Sequence, residues 1–499
     1  MNLYVPQPAH KIYAFDRGWR VLKYVAHHLF VRTNQAARWW WKRADSVRIW
    51  ATPEHWFKKY CAWVIVVSFA LAGAAQYLSA FALVALFVVI QSVLLTTWAA
   101  LALLGMGILA GWNFAYSRFY RIFYRCPNCH DSMPIPTYIC PTCHTEHSRL
   151  WPSIYGVLTH RCITCETKLP TLLGRRHLER FCPHCRRPLN RGVGEGTNVH
   201  IPVVGGTSTG KTNYIVMATR EFKDTYEQRY GYRVSFTDPA HEHEFEANLH
   251  RLEGGRELVA TTEVVPQAYN LKIKVPGWRV PKLAYVYDAA GEAFATYDNT
   301  SRQAYYKYID GIIFVIDPFA IPEYYRIYQT DIEQIRTSLR PSRLGVMEAY
   351  ERMMQMFEAS VDMRKRKRYS QPIAVVVTKV DTLDLEDEVG SRAAQALMAH
   401  DSSIPSEAEA IHMLVRDFLC KYDMDHFVRD LEANFAHVRY FSCSALGRLP
   451  STMDTREFTP IRVLDPLIWL FLWARVVKPV RREQKKLAQP MPMTMKQRM

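Results

Sequence analysis

Two hydrophobic patterns divide the chain. Between Lys59 and Arg118 run 58 residues with no Asp, Glu, Lys, Arg or His, rich in Ala, Leu, Val and Phe. No polar face recurs at helical spacing, the mark of a helix that is apolar on every side. At ~1.5 Å per residue such a run extends about 87 Å as helix, whereas one crossing of a bilayer's ~30 Å core takes roughly 20 residues. The pattern predicts two transmembrane helices within 60–117. Their turn is expected near Gln76 to Ser79, where Gln, Tyr and Ser interrupt the run, with Gln91 and Ser92 as the competing position. A cleaved signal peptide is not expected, because the run starts after position 59.

From about residue 197 the pattern changes. Short continuous apolar runs, Val199–Val204, Leu283–Tyr287, Gly311–Ile316, Ile373–Val377 and Val438–Phe441, alternate with longer polar stretches of helical pattern. Continuous apolar strands separated by helices predict a mostly parallel sheet covered on both faces, an α/β domain over 197–476. Leu467–Trp473 is too short to cross a membrane and is expected to complete that domain's last helix.

Charge refines the division. Residues 1–60 hold 11 basic and 3 acidic side chains, 118–191 hold 12 and 4, and 475–499 hold 8 and 1, while the formal net charge of the chain is +16. Basic flanks on both sides of an even number of spans place both flanks in the cytoplasm, against anionic lipid. The chain then reads as a basic, Trp-rich interfacial segment (1–59), the spans (60–117), a cysteine module (118–191), the α/β domain and a basic tail (477–499). Trp19, Trp39, Trp40, Trp41, Trp50 and Trp56 suit a collar at the headgroup level. The run Arg364–Arg368 is expected to be a solvated helix end. Nucleic acid is the rival partner for the basic charge, but aromatic residues for base stacking are sparse around Arg175, Arg176, Arg180, Arg186 and Arg187.

Of 11 cysteines, eight form four CxxC pairs: Cys126 and Cys129, Cys140 and Cys143, Cys162 and Cys165, Cys182 and Cys185. Four thiolates per ion make a closed tetrahedral site, so the module is expected to hold two zinc ions, with iron as the rival metal. Pairing each CxxC with its neighbour is simplest, and an interleaved arrangement is the alternative. A small region poor in large apolar side chains needs the metal to fold. His144, His147, His160, His177 and His184 are expected on the surface, and Cys61, Cys420 and Cys443 as buried or membrane cysteines.

The sharpest motif is Gly205-Gly206-Thr207-Ser208-Thr209-Gly210-Lys211-Thr212, a match to G-x-x-x-x-G-K-[ST] between an apolar strand and a helical stretch. Its backbone amides would cradle the β-phosphate, Lys211 would reach the β- and γ-phosphates, and the Thr212 hydroxyl would bind Mg²⁺. Asp288 and Gly291, a strand-terminal D-x-x-G, would hold Mg²⁺ through water and sense the γ-phosphate. Thr378, Lys379 and Asp381 form T-K-x-D: the Asp381 carboxylate can accept from guanine's N1 and exocyclic amine, while Lys379 lies along the base. Ser444 and Ala445 then follow the last strand, where a backbone amide would meet the guanine oxygen.

In this order the motifs resemble a Ras-like GTPase of the translation-factor-related class, over roughly 197–476. That resemblance implies a six-stranded G domain with two switch regions and Mg²⁺-dependent GTP binding. The combination with membrane spans and zinc ribbons resembles the double-GTPase families attached to bacterial conflict systems, which implies a defence role. Two departures stand out. Glu292 occupies the place where many relatives have Gln to position the attacking water, and the switch threonine is unassigned between Thr261 and Thr262. The expected protein is a GTP hydrolase at the cytoplasmic face of a membrane, acting as a switch with a protein partner or a second copy of itself. A nucleotide-binding module without turnover and an ATP-driven remodeller of membrane or nucleic acid are the competing expectations.

Overall fold

A computed structural model describes residues 11–50, 56–120, 124–126, 132–133, 135–148, 150–172, 174–189, 194, 196–237, 239–254, 256, 258, 267–288, 309–360, 368–449 and 456–478. Thr261, Thr262, Gly291, Glu292, Cys129, most of Arg364–Arg368 and most of the basic tail lie outside the described residues. The chain divides into two compact units, Met1–Arg118 with Ile135–Phe181, and Phe119–Pro134 with Cys182–Met499.

The first unit opens with helix α1, Arg17–Trp50, and helix α2, Trp56–Phe119, 64 residues long. Here the structure departs from the expected hairpin within 60–117, because α2 runs unbroken through both candidate turns. The reason is chemical. The stretch has no proline and its glycines stand singly, and a lone glycine costs a helix only about 1 kcal/mol relative to alanine. Its hydroxyls are satisfied inside the helix: Ser79 Oγ donates to the Gln76 carbonyl at 3.1 Å, and Thr97 Oγ1 to that of Val93 at 2.8 Å.

A helical hairpin exists, but α1 and α2 make it. A β-carbon added at Gly18 of α1 would lie 2.7 Å from Leu95 Cδ2, and one at Gly73 of α2 would lie 3.0 Å from Trp40 Cβ. The Trp40 indole N–H donates to Gln76 Oε1, and its ring centroid sits 5.8 Å from that of Phe69. Contacts that rise along α1 fall along α2, so the two helices are antiparallel. The buried positions are mostly small, Gly18, Ala37 and Ala44 in α1 and Ala62 and Gly73 in α2, which lets the backbones approach. Trp40 is thus a packing residue, whereas Trp19, Trp39, Trp41, Trp50 and Trp56 are exposed. One described helix, α2, is long and apolar enough to cross a membrane, and only 6 % of its most apolar window is buried.

The cysteine region supplies short strands: β1 (Tyr124–Arg125) with β2 (Ser132–Met133), β3 (Thr137–Ile139) between β4 (Glu146–His147) and β7 (Arg180–Phe181), and the hairpin of β5 (Thr159–Arg161) with β6 (Lys168–Pro170). His147 and His160 are buried, contrary to the surface position expected of them. Each faces inward from a two- or three-residue strand, and burial pushes both imidazoles down, His160 to about 4, so that they pack as neutral rings.

The second unit is built on a seven-stranded sheet in the order β14-β13-β12-β8-β11-β10-β9. β8 (Thr197–Gly205), β11 (Lys282–Asp288), β12 (Ile312–Ile316), β13 (Ile373–Val377) and β14 (Val438–Ser442) are mutually parallel and match the five apolar runs. β9 (Arg233–Phe236) and β10 (Gln267–Lys274) add an antiparallel edge. Pattern reading missed these two because polar residues alternate with the buried Val234, Tyr269, Leu271 and Ile273.

Helix α3 (Lys211–Tyr230) packs on one face of the sheet with α4 (Pro239–Glu253) and the terminal helix α12 (Leu464–Trp473). Helices α5 (Pro322–Ile327), α6 (Gln329–Leu339), α7 (Val346–Ser360), α8 (Leu385–Val389), α9 (Ser391–His400), α10 (Glu407–Lys421) and α11 (Asp425–Asn434) cover the other. Phe314 on β12 anchors that second face, fully buried, with its ring centroid 5.7 Å from Phe427 and 6.2 Å from Tyr350. Truncation of such an aromatic leaves a cavity that costs about 3–5 kcal/mol. Phe314→Ala is expected to lower the unfolding temperature of the nucleotide domain sharply in a thermal melt, and an unchanged melt would contradict this packing.

Candidate functional site

The phosphate-loop motif lies at the carboxyl end of β8, the central strand. Ser208 (φ 60°) and Gly210 (φ 86°) take left-handed backbone, and Gly210 caps the start of α3. This turn aims the first amides of the helix inward, where the helix dipole favours an anion. The Thr209 hydroxyl closes the loop on the Gly206 carbonyl at 3.0 Å. Lys211 Nζ donates to the carbonyls of Gly205 (3.2 Å) and Gly206 (2.6 Å), and so stands over the cradle.

Asp288 ends β11, the strand hydrogen-bonded beside β8, and is paired in register with Val203. Its Oδ2 accepts from Thr212 Oγ1 at 2.5 Å, while among the described residues its buried Oδ1 has no hydrogen-bond partner. Burial pushes the Asp288 carboxyl up, against the opposing pull of Lys211 and Thr212, and pushes the Lys211 ammonium down, against the pull of Asp288. Two buried groups whose charged forms depend on each other, with one carboxylate oxygen unused, fit a hard divalent cation held by the Thr212 hydroxyl and Asp288.

T-K-x-D follows β13, two strands away. The Thr378 hydroxyl donates to the Thr209 carbonyl at 3.0 Å and to that of Ile316 at 3.1 Å, which ties this segment to the phosphate loop. Lys379 takes left-handed backbone (φ 58°). Its Nζ donates to Asp317 Oδ2 (2.8 Å) and to the carbonyls of Leu339 (3.0 Å) and Arg340 (3.2 Å), so all its N–H groups are engaged by the protein and only its stem is left for a base. Asp317 went unnoticed in the sequence. It is buried directly after β12, caps the following turn through Phe319 N at 3.1 Å and accepts from Ser342 N at 2.9 Å. A strand-terminal Asp before Pro318 is the one available signal.

Asp381 is half-buried beside the S-C-S-A segment: burial first, then Asp465 and Asp381, push the Cys443 thiol up. The Ser444 amide is taken by the Ile461 carbonyl at 3.0 Å, and Ser444 Oγ accepts from Gly447 N at 2.8 Å. Among the described residues the Ala445 amide has no backbone acceptor, which makes it the free donor of this segment.

The cysteines are nested. Cys140, Cys143, Cys162 and Cys165 converge in the first unit, with Cys140 Sγ 3.5 Å from Cys165 Sγ and Cys143 Sγ 3.4 Å from Cys162 Sγ. Cys126, Cys182 and Cys185 converge in the second, with 3.5 Å between Cys126 and Cys185. The inner two CxxC pairs therefore share one site, and Cys126 of the first pair joins the last pair in the other, which corrects the neighbour pairing. In three of the pairs the residue after the second cysteine, His144, Glu166 or Arg186, has φ near +55° to +58°. Its amide returns to the first cysteine's carbonyl at 2.9–3.1 Å, a turn that points both sulfurs the same way. Tetrahedral zinc at ~2.3 Å from sulfur sets sulfurs about 3.8 Å apart, so both clusters could hold it. The nesting has a direct consequence: Cys140→Ser with Cys162→Ser should remove one of two bound zinc ions, as read by metal analysis of the purified chain. Neighbour pairing would instead cripple both sites.

Residues 199–418, just under half of the chain, match the model of the Double-GTPase 2 family. No curated protein matches the chain. Among solved structures it is similar to the S. cerevisiae Ski7 GTPase-like domain bound to GTP, at 12% identity over 60% of this chain and 51% of that one, with a TM-score of 0.24. The chain thus spans about half the length of that protein, a likeness too slight to add to the family match. With the phosphate loop, Asp288 and T-K-x-D at one edge of a mostly parallel sheet, the family match shows the α/β domain of this chain to be similar to the GTPase domains of the Double-GTPase 2 family.

Proposed function

We propose that the chain is a membrane-anchored switch that binds GTP with Mg²⁺ and hydrolyses it to GDP. The observation that carries this is convergence: the phosphate loop after β8, Asp288 at the end of β11, T-K-x-D after β13 and Ser444-Ala445 after β14 meet at the carboxyl edge of one sheet, where open α/β folds bind ligands. Lys211 neutralises the β- and γ-phosphates, and Thr212 with Asp288 holds the cation, which supplies charge neutralisation when bound. Asp381 accepts from guanine N1–H and the exocyclic amine, the stem of Lys379 covers one face of the base, and the Ala445 amide donates to the guanine oxygen. Adenine offers the reverse donor pattern, so the Asp381 carboxylate rejects it.

α2 is the anchor, its exposed Leu101, Leu104, Ile108 and Trp112 facing lipid. The excess of basic over acidic residues in 118–191, directly after α2, favours the cytoplasmic side for the nucleotide domain and the two zinc sites.

Two measurements test this. Detergent-solubilised wild type should bind labelled GTP and GDP in preference to ATP; Asp381→Asn should abolish the preference and Lys211→Ala the binding. Equal ATP binding that Asp381→Asn leaves unchanged would remove the guanine assignment. Alkaline carbonate extraction should leave the chain in the membrane pellet, and release into the supernatant would remove the anchor.

A further inference from the structure

Between β12 and β13 the chain passes through Leu339–Gly345, a segment that no nucleotide-binding motif explains. It is pinned from both ends of the site. Asp317 Oδ2 accepts from Ser342 N at 2.9 Å, and Lys379 Nζ donates to the carbonyls of Leu339 and Arg340 at 3.0 and 3.2 Å. Ser342 Oγ donates to the Leu344 carbonyl at 3.0 Å and tightens the turn. The turn lies on the phosphate loop, where a β-carbon at Gly206 would collide with Ser342 Oγ and stand 3.1 Å from the Leu344 carbonyl oxygen.

Arg343 is the residue between those two contacts. It is exposed and, among the described residues, has neither a hydrogen bond nor an ion pair, whereas Arg326 and Arg336 on the preceding helices are paired with Glu323 and Glu333. An unpaired guanidinium on a turn held against a phosphate-binding loop has one evident use. The loop itself brings a single cation, Lys211. Glu292 adds a further carboxylate by sequence. A γ-phosphate in transfer spreads negative charge over its three equatorial oxygens, more than Lys211 can neutralise alone.

The geometry points to Arg343 as a catalytic arginine supplied by the chain to its own nucleotide, donating to the γ-phosphate oxygens of bound GTP. This rests on the GTP-binding function proposed above. In hydrolysis the oxygen of water bonds to the γ-phosphorus and the bond to the β–γ bridging oxygen breaks. The electron pair stays on GDP, and the protons of the water go to the released phosphate. Arg343 remains protonated throughout and donates to oxygens that gain charge. Asp317 and Lys379 act as positioning residues that fix the turn.

The test compares wild type, Arg343→Ala, Arg343→Lys and, as a surface control, Arg326→Ala in detergent. Three readouts are needed: single-turnover GTP hydrolysis, the tightening of GDP binding by aluminium fluoride, and the affinity ratio of a non-hydrolysable GTP analogue to GDP. Arginines in this role contribute about 10³–10⁵ to kcat. Arg343→Ala should therefore lose at least ~100-fold in rate, together with the aluminium fluoride response and the preference for triphosphate. GDP affinity should hold, which excludes misfolding as the cause; Arg343→Lys should recover part of the rate and Arg326→Ala should match wild type. If Arg343→Ala keeps the wild-type rate, fluoride response and affinity ratio, the assignment is overturned while GTP binding stands. Should wild type turn over too slowly to read, the fluoride response and the affinity ratio decide. A wild type that binds no guanine nucleotide brings down the GTP-binding function itself and Arg343 with it.

Discussion

The nucleotide edge depends on how closely the chain can approach the backbone of Gly205 and Gly206. A β-carbon at Gly205 would stand 2.5 Å from the Val315 carbonyl oxygen of β12, and one at Gly206 would run into the Ser342–Leu344 turn. With no side chain at either position, β8, β12 and that turn close on one another. The Thr378 hydroxyl then spans the carbonyls of Thr209 and Ile316, and Lys379 reaches Asp317. Base-side and phosphate-side segments are thereby locked into one body before any ligand arrives, which is what preorganised recognition requires.

Burial sets the electrostatics of the same edge. Lys211 and Asp288 are both withdrawn from water, and each opposes the other's loss of charge. A buried pair of this kind contributes little to stability in its own right and is retained where its charge has a use. The unused Oδ1 of Asp288 and the Thr212 hydroxyl give that use a direction, since a hard cation takes oxygen ligands.

Much of this was legible in the sequence, and the reasons differ by element. The five parallel strands are buried on both faces and so read as unbroken apolar runs, whereas β9 and β10 at the edge alternate polar with apolar and merge into their surroundings. Motif residues such as Lys211 and Asp381 carry fixed spacing, but Asp317 does not, because its partners Lys379 and Ser342 come from distant parts of the chain. Polar residues in α2 suggested a turn, yet Ser79 and Thr97 satisfy their hydroxyls within the helix and Gln76 is met by Trp40 of α1. Cysteine spacing fixed the ligand type and left the pairing open, because nesting is set by how the strands around Cys140 and Cys162 fold on each other rather than by distance along the chain.

The central claim is that Asp381 reads the Watson–Crick edge of guanine, and an inverted pair tests it most directly. Xanthine has a carbonyl where guanine has its exocyclic amine, so a carboxamide at position 381 can donate where the carboxylate accepts. The measurement is binding of xanthosine diphosphate and GDP to wild type and Asp381→Asn. A reversal, with Asp381→Asn preferring the xanthine nucleotide and wild type preferring GDP, is the predicted result. An Asp381→Asn protein that still prefers GDP as strongly as wild type does would contradict the account.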